Sequence, residues 1–231
     1  MELWAATQEA LRLLFTGDPT LWGVVWISLK VSGMALLIAT PLAVLVGFVL
    51  ATVAFPGRRV VVVILQSFLS FPTVVVGLVL YVLLARSGPF GEMGLLYTQT
   101  AMILGQAIIA FPVLAAFTLA SVQGADRIVH ETAVSLGATP ARAAVTTLFE
   151  VRFAVMAGLF NGFGRVISEV GCAMMVGGNI AGSTRNIPTA ISLETAKGEF
   201  AQGIALGIVL IVMALVINGA FHTLQGEGQL K

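Results

Sequence analysis

Gln123-Gly124-Ala125-Asp126-Arg127-Ile128-Val129-His130-Glu131-Thr132-Ala133-Val134-Ser135-Leu136-Gly137-Ala138-Thr139-Pro140-Ala141-Arg142-Ala143-Ala144-Val145 opens the longest polar stretch of an otherwise apolar chain, 123–152. Its pattern predicts two short helices around a sharp corner. Ile128, Val129, Thr132, Ala133 and Leu136 share one stripe at helical spacing. Gly137 suits the left-handed residue that closes a helix. Thr139 is a good N-cap and Pro140 a good first helical residue. A rigid amphipathic elbow needs something to pack against, either the chain's own helices or another protein.

Everything around the elbow is apolar. Of 231 residues, 58% are hydrophobic and 10% are charged, with a mean hydropathy of +1.01. Soluble domains carry about 25% charged residues. Such a chain cannot cover itself with a water-facing surface, and it is too apolar for disorder. An all-α integral membrane protein is expected, with about five spans of roughly 20 residues. The apolar runs are 21–54, 60–85, 98–122, 153–178 and 200–221. Together with the 123–152 loop they make residues 21–231 a single transmembrane domain. Trp22 and Trp26 mark an interfacial belt, and Lys30 can snorkel to the same surface. Pro41, Pro72 and Pro112 lie inside runs, where proline bends helices.

Residues 1–20 are too acidic for a signal peptide. Leu3, Trp4, Leu11, Leu14 and Phe15 at helical spacing predict an amphipathic helix on the outer surface, ended by Gly17-Asp18-Pro19; a polar leader is the plainer alternative. Arg58, Arg59, Arg127, Arg142, Arg152 and Lys231 fall on one side, and Arg12, Arg86, Arg185 and Lys197 on the other. The denser cluster makes the elbow side cytoplasmic, with the N-terminus outside and the C-terminus inside. Net charge is +1, so nothing points to nucleic acid. The single Cys172 reads as a small core residue.

Glu131-Thr132-Ala133-x-x-Leu136-Gly137-Ala138 resembles the EAA loop of permease subunits of bacterial ABC importers. Thr132 stands where the second position is usually Ala, and Phe149-Glu150 where many members have Leu-Pro. Gly162-Phe163-Gly164-Arg165-Val166-Ile167-Ser168-Glu169-Val170-Gly171 and Gly177-Gly178-Asn179-Ile180-x-Gly182-x-Thr184-Arg185 resemble the molybdate/tungstate/sulfate group. Glu150-Val151-Arg152-Phe153 and Leu193-Glu194-Thr195-x-Lys197-Gly198-Glu199-Phe200 are most similar to tungstate-type permeases. The resemblance implies a type I importer permease fold in a bacterial or archaeal cell (inner) membrane. It implies a homodimer, two cytosolic ATPases that hydrolyse ATP with Mg, and a periplasmic or extracellular oxyanion-binding protein. Asp126, Glu131, Thr132, Ala133, Leu136, Gly137 and Ala138 would then couple to the ATPase. The cargo is expected to be tungstate, with molybdate or sulfate as alternatives.

The chain has no Gly-x-x-x-x-Gly-Lys-Ser/Thr, so no P-loop of its own is expected. The short tail predicts no anion-sensing domain. Arg165 and Glu169 are charges inside the fourth run, four residues apart on one helix face if the helix is continuous. They either line a water-filled route for an oxyanion, together with Ser168 and Asn179, or pair structurally. Met174 and Met175 either gate that route or pack the core. The outer loop 179–199 is expected to start a short helix near Pro188, re-entrant or at the surface. Arg185 there contacts a docking protein or the anion, or stands in a solvated loop. An intramembrane hydrolase is disfavoured because His130 and His222 lie away from any candidate serine, and no metal or other cofactor site is expected. A channel or ion-coupled transporter would need no elbow.

Overall fold

The computed structural model describes residues 3–225. Glu227 and Lys231 of the tail lie outside the described residues, as do the side chains of Arg127, His130 and His222. Among the described residues the chain is helical with no strand. The α-helices are α1 (Leu3–Thr16), α2 (Pro19–Thr52), α3 (Arg58–Phe68), α4 (Thr73–Leu84), α5 (Gln99–Gln123), α6 (Arg127–Ser135), α7 (Pro140–Glu150), α8 (Arg152–Ile167), α9 (Gly171–Gly177), α10 (Ile187–Lys197) and α11 (Phe200–Gln225).

The helices α2, α5 and α11 are long and apolar enough to cross a membrane, and the count rises to 5 if the bent pairs α3–α4 and α7–α8 are one span each. Leu37, Leu45, Ile211 and Leu215 point outward from α2 and α11. That leaves apolar side chains for acyl chains to cover, while helical hydrogen bonding satisfies the backbone.

The core is built on α2 and α5, which run parallel. Lys30 meets Gln99 near one end of the pair. Gly47 meets Ala115, Thr118 and Leu119 near the other. A Cβ on Gly47 would lie 2.6 Å from the Ala115 carbonyl oxygen, so only glycine permits this approach. Val31, Ala35 and Ala43 of α2 and Met102, Ala110 and Ala115 of α5 are fully buried. The helices α4, α8 and α9 close around α5. A second cluster joins Ala10 of α1, Leu21, Val24 and Val25 of α2, Ile187 and Ala190 of α10, and Ala205, Leu206 and Val209 of α11. The apolar stripe of α1 thus packs on other helices as well as facing outward.

Two apolar runs are not single straight helices. The 60–85 run turns by 96° between α3 and α4. Pro72 cannot continue the incoming helix, and Leu69, Ser70 and Phe71 close tight three-residue turns before it. Pro41 and Pro112 lie in helices that run on past them. The 153–178 run breaks at Ser168–Val170, between α8 and α9. This corrects the reading of Arg165 and Glu169 as neighbours on one helix face. Arg165 lies in α8 and Glu169 in the break itself, and no ion pair joins them.

Candidate coupling elbow and translocation residues

The elbow is set by local chemistry. The Asp126 carboxylate accepts the Ile128 N–H at 2.9 Å and caps α6. At the other end Gly137 has φ +84°. The Gly137 N–H donates to the Val134 carbonyl at 2.9 Å, and the Ala138 N–H donates to the Ala133 carbonyl at 3.0 Å. This pairing closes a helix through a left-handed residue and satisfies carbonyls that would otherwise be orphaned. Thr139 then caps α7 by accepting the Arg142 N–H at 3.4 Å, with Pro140 in the first turn.

What the elbow displays is apolar. Leu136 is 83% exposed, and Ile128 and Val134 are also open. Ile128, Val129, Thr132, Ala133, Leu136, Gly137 and Ala138 line an open groove with Arg142 and Thr146. Glu131 is exposed and faces a separate cavity of about 490 Å³, shared with Asp126, Gln123, Thr147 and the end of α2 at Thr52.

The second group of candidates is dispersed by the helix break. Glu169 is buried, and its carboxylate accepts the Cys172 N–H at 3.0 Å, capping the start of α9. Ser168 turns its hydroxyl back, donating to the Gly164 carbonyl at 2.8 Å and the Arg165 carbonyl at 3.1 Å. Arg165 is exposed, with no side-chain partner among the described residues. It borders a small cavity beside the α3–α4 corner, with Phe68, Leu69, Phe71 and Thr73. The two breaks adjoin: a Cβ on Gly171 would lie 2.6 Å from Val74, and one on Gly77 would lie 2.8 Å from the Cys172 Cα. Met175 packs on Gly77, while Met174 is exposed.

The 179–199 loop is a hydrogen-bonded plug. Asn179 sits at φ +51° and donates its amide to the Thr189 carbonyl at 3.3 Å. Thr184 is fully buried; its hydroxyl donates to the Gly177 carbonyl at 2.5 Å and accepts the Ile180 N–H at 3.0 Å. Asn186 and Thr189 cap α10 reciprocally. Arg185 lies 3.9 Å from buried Glu194, which Lys197 also approaches at 3.2 Å. Two contacts tie the plug to the core: the Ile187 N–H donates to Ser28 at 2.7 Å, and Gln99 donates to the Ser183 carbonyl at 2.7 Å; beside them the Tyr97 N–H donates to the Val176 carbonyl of α9 at 2.8 Å. Lys30, expected to snorkel, donates to Gln99 at 2.9 Å. Hydrogen bonding with Tyr81 raises the Tyr97 phenol above its ordinary pKa. Ser28, Gln99, Thr184 and Glu194 were not among the sequence candidates. Polar residues beside apolar helices were the available signal.

No family profile matches the chain. The tungstate uptake system permease protein TupB of Campylobacter jejuni is 41% identical over 218 residues, covering 94% of this chain and 91% of that protein. A probable anion ABC transporter permease protein of Haloferax volcanii is 39% identical over 197 residues, covering 83% and 85%. A chain in the crystal structure of an amino acid ABC transporter with histidines superposes with a TM-score of 0.66, covering 91% of this chain and 95% of that one. At 18% identity, that likeness speaks for the fold alone. With its helices, elbow and paired helix breaks on that fold, and with identities of this size over nearly its whole length, the chain belongs to the family of tungstate and related anion permeases of ABC transporters.

Proposed function

We propose that the chain is the membrane subunit of an ATP-driven importer that carries tungstate into the cell. It works as two copies, with two cytosolic ATPases and an external oxyanion-binding protein. The observation that carries this reading is the elbow. A helix capped at both ends holds Leu136, Ile128 and Val134 open to solvent. Burying a leucine side chain contributes about 1.5–3 kcal/mol, so a fixed display of this kind favours a partner groove. Docking on an ATPase puts the elbow in the cytoplasm, the N-terminus and α1 outside, and the C-terminus inside. ATP and Mg belong to the ATPase, and this chain is not itself a catalyst.

Arg165 is the residue we assign to the anion's route. With Glu169 turned away into the cap of α9, its charge has no carboxylate partner among the described residues. An unpaired cation at membrane depth favours a passing dianion over a cation. Ser168 and Met174 border the same route, and Asn179 and Arg185 lie toward its external mouth. Molybdate and sulfate share tungstate's tetrahedral shape and double charge, so the external binding protein does most of the choosing.

The test is Leu136→Asp. A charge at the centre of the docking surface should abolish ATPase co-purification and ATP-driven tungstate uptake in vesicles, with the protein's membrane level unchanged. Undiminished uptake would remove the coupling role. Wild-type uptake without any ATPase would point to a channel or ion-coupled carrier.

A further inference from the structure

Residues 97–99 lead into α5 and, on the way, grip the end of α9 and the loop that follows it. The Tyr97 N–H donates to the Val176 carbonyl near the end of α9 at 2.8 Å. Two residues on, Gln99 donates to the Ser183 carbonyl of the loop at 2.7 Å, and Lys30 of α2 donates to Gln99 from the other side. Between them Thr98 fastens the segment to α5, its hydroxyl accepting the Ala101 N–H at 3.3 Å as the N-cap.

Tyr97 makes this grip in a strained conformation. Its φ is +63°, a region that a bulky aromatic residue rarely enters. A residue stays there only when its surroundings fix it, and here three contacts do so. One is the bond to Val176. The second is the ring against Gly178, where a Cβ would come within 2.7 Å of it. The third is a hydrogen bond shared with the Tyr81 phenol of α4, the ring centres 6.4 Å apart. On the far side of the contact the chain leaves α9 through two more left-handed residues, Gly178 at φ +68° and Asn179 at φ +51°. They form the joint between α9 and the loop. Beyond that joint the loop is bonded to itself, with α10 capped reciprocally by Asn186 and Thr189. Ile187 and Ala190 seat it in the cluster shared with α2 and α11.

We propose that Tyr97 is a catch: residues 97–99 hold the 179–199 loop shut in this conformation, and Tyr97 relaxes out of the left-handed region when the loop lifts. The proposal rests on the importer reading, in which the loop covers the anion's entry. Strain is what makes the catch work in both directions. The contacts of Tyr97 favour the closed loop, and the backbone conformation forced on it favours the open one. Two opposed contributions keep the states close in free energy, so a modest differential interaction elsewhere in the importer selects between them. A segment bonded to itself and held from outside moves as one body about its joint.

The experiment uses the chain with its ATPase in vesicles, every variant carrying Cys172→Ala so that the single native thiol does not compete. Gln99→Cys and Ser183→Cys are bridged by a reducible bifunctional thiol reagent. ATP-driven tungstate uptake should fall about tenfold on bridging, the loss expected when the loop is held in one of its two states, and return on reduction. Uptake unchanged by the bridge overturns the proposal. A second readout does not need transport. Ala190 is buried under the closed loop, so the rate at which a maleimide reaches Ala190→Cys reports opening. Tyr81→Phe should speed that labelling about fivefold, the net value of one hydrogen bond. Tyr97→Ala should speed it further, and about tenfold beyond Tyr97→Gly, because alanine keeps the left-handed penalty and glycine does not. Equal labelling of the alanine and glycine variants overturns the proposal, since a ring that only fills space is lost equally from both. If vesicles of the unsubstituted chain show no ATP-driven uptake, the importer reading fails while the labelling still decides the catch.

Discussion

The elbow and the outer loop are both polar segments outside the long helices, and they are finished in opposite ways. In the outer loop Thr184, Asn186, Thr189 and Glu194 are buried, and each has its partner inside the chain. In the elbow the caps fix the corner, and its most exposed apolar side chain, Leu136, faces outward. The 179–199 loop is largely closed on itself, with the buried Asn179 Oδ1 and Arg185 Nε left without a hydrogen-bond partner. On the function proposed above, the elbow is half of an interface, ordered before its other half arrives. Pre-ordering matters because ordering a loop during docking costs binding energy.

That contrast can be broken at either end. The largest effect on uptake is expected at Gly137→Val, which forces an L, β-branched side chain into a left-handed conformation and destroys the corner. Membrane levels should stay normal while ATPase co-purification and uptake are lost; wild-type uptake from a well-expressed variant would sink the pre-ordered elbow. Next is Thr184→Val, which strips the hydroxyl from the plug and leaves the Gly177 carbonyl and the Ile180 N–H without it. A drop of about 2–4 kcal/mol in stability is expected, read as a lowered melting temperature with ATPase association intact. A loss confined to ATPase association would reverse the comparison. The smallest effect is the coupling between Arg165 and Glu169. A double-mutant cycle of Arg165→Met and Glu169→Gln should give additive stability changes, within about 0.5 kcal/mol, because the helix break separates the two. A coupling well above that would restore the structural ion pair.

The elbow was legible because every device in it is local. Asp126, Gly137, Thr139 and Pro140 each act within a few residues, so the sequence carries the whole instruction. Asn186-Ile187-Pro188 announced α10 for the same reason. The breaks were hidden. Hydropathy stays high through Phe68–Pro72, where periodicity cannot report a bend in a run apolar on all sides, and the polar Ser168-Glu169 of the fourth run reads as well as a helix face as a break. Pro72 ends a helix while Pro41 and Pro112 do not, a difference set by neighbours and not by the proline. Spacing four residues apart put Arg165 beside Glu169 only on the premise of a continuous helix. Instead the Glu169 carboxylate caps the next helix by accepting the Cys172 N–H, which sequence spacing had no means to prefer. The plug was illegible for a related reason: Ser28 and Ile187 are joined across 159 residues of chain.

At the corner itself, a Cβ on Gly137 would have nothing within 4 Å, although φ is +84°. The site therefore excludes side chains by handedness and not by volume. Replacements should rank by their ease in the left-handed region, with Asn and Asp ahead of the smaller Ala. A D-alanine introduced by chemical ligation should serve as well as glycine, so that at residue 137 chirality alone would decide whether the proposed coupling survives.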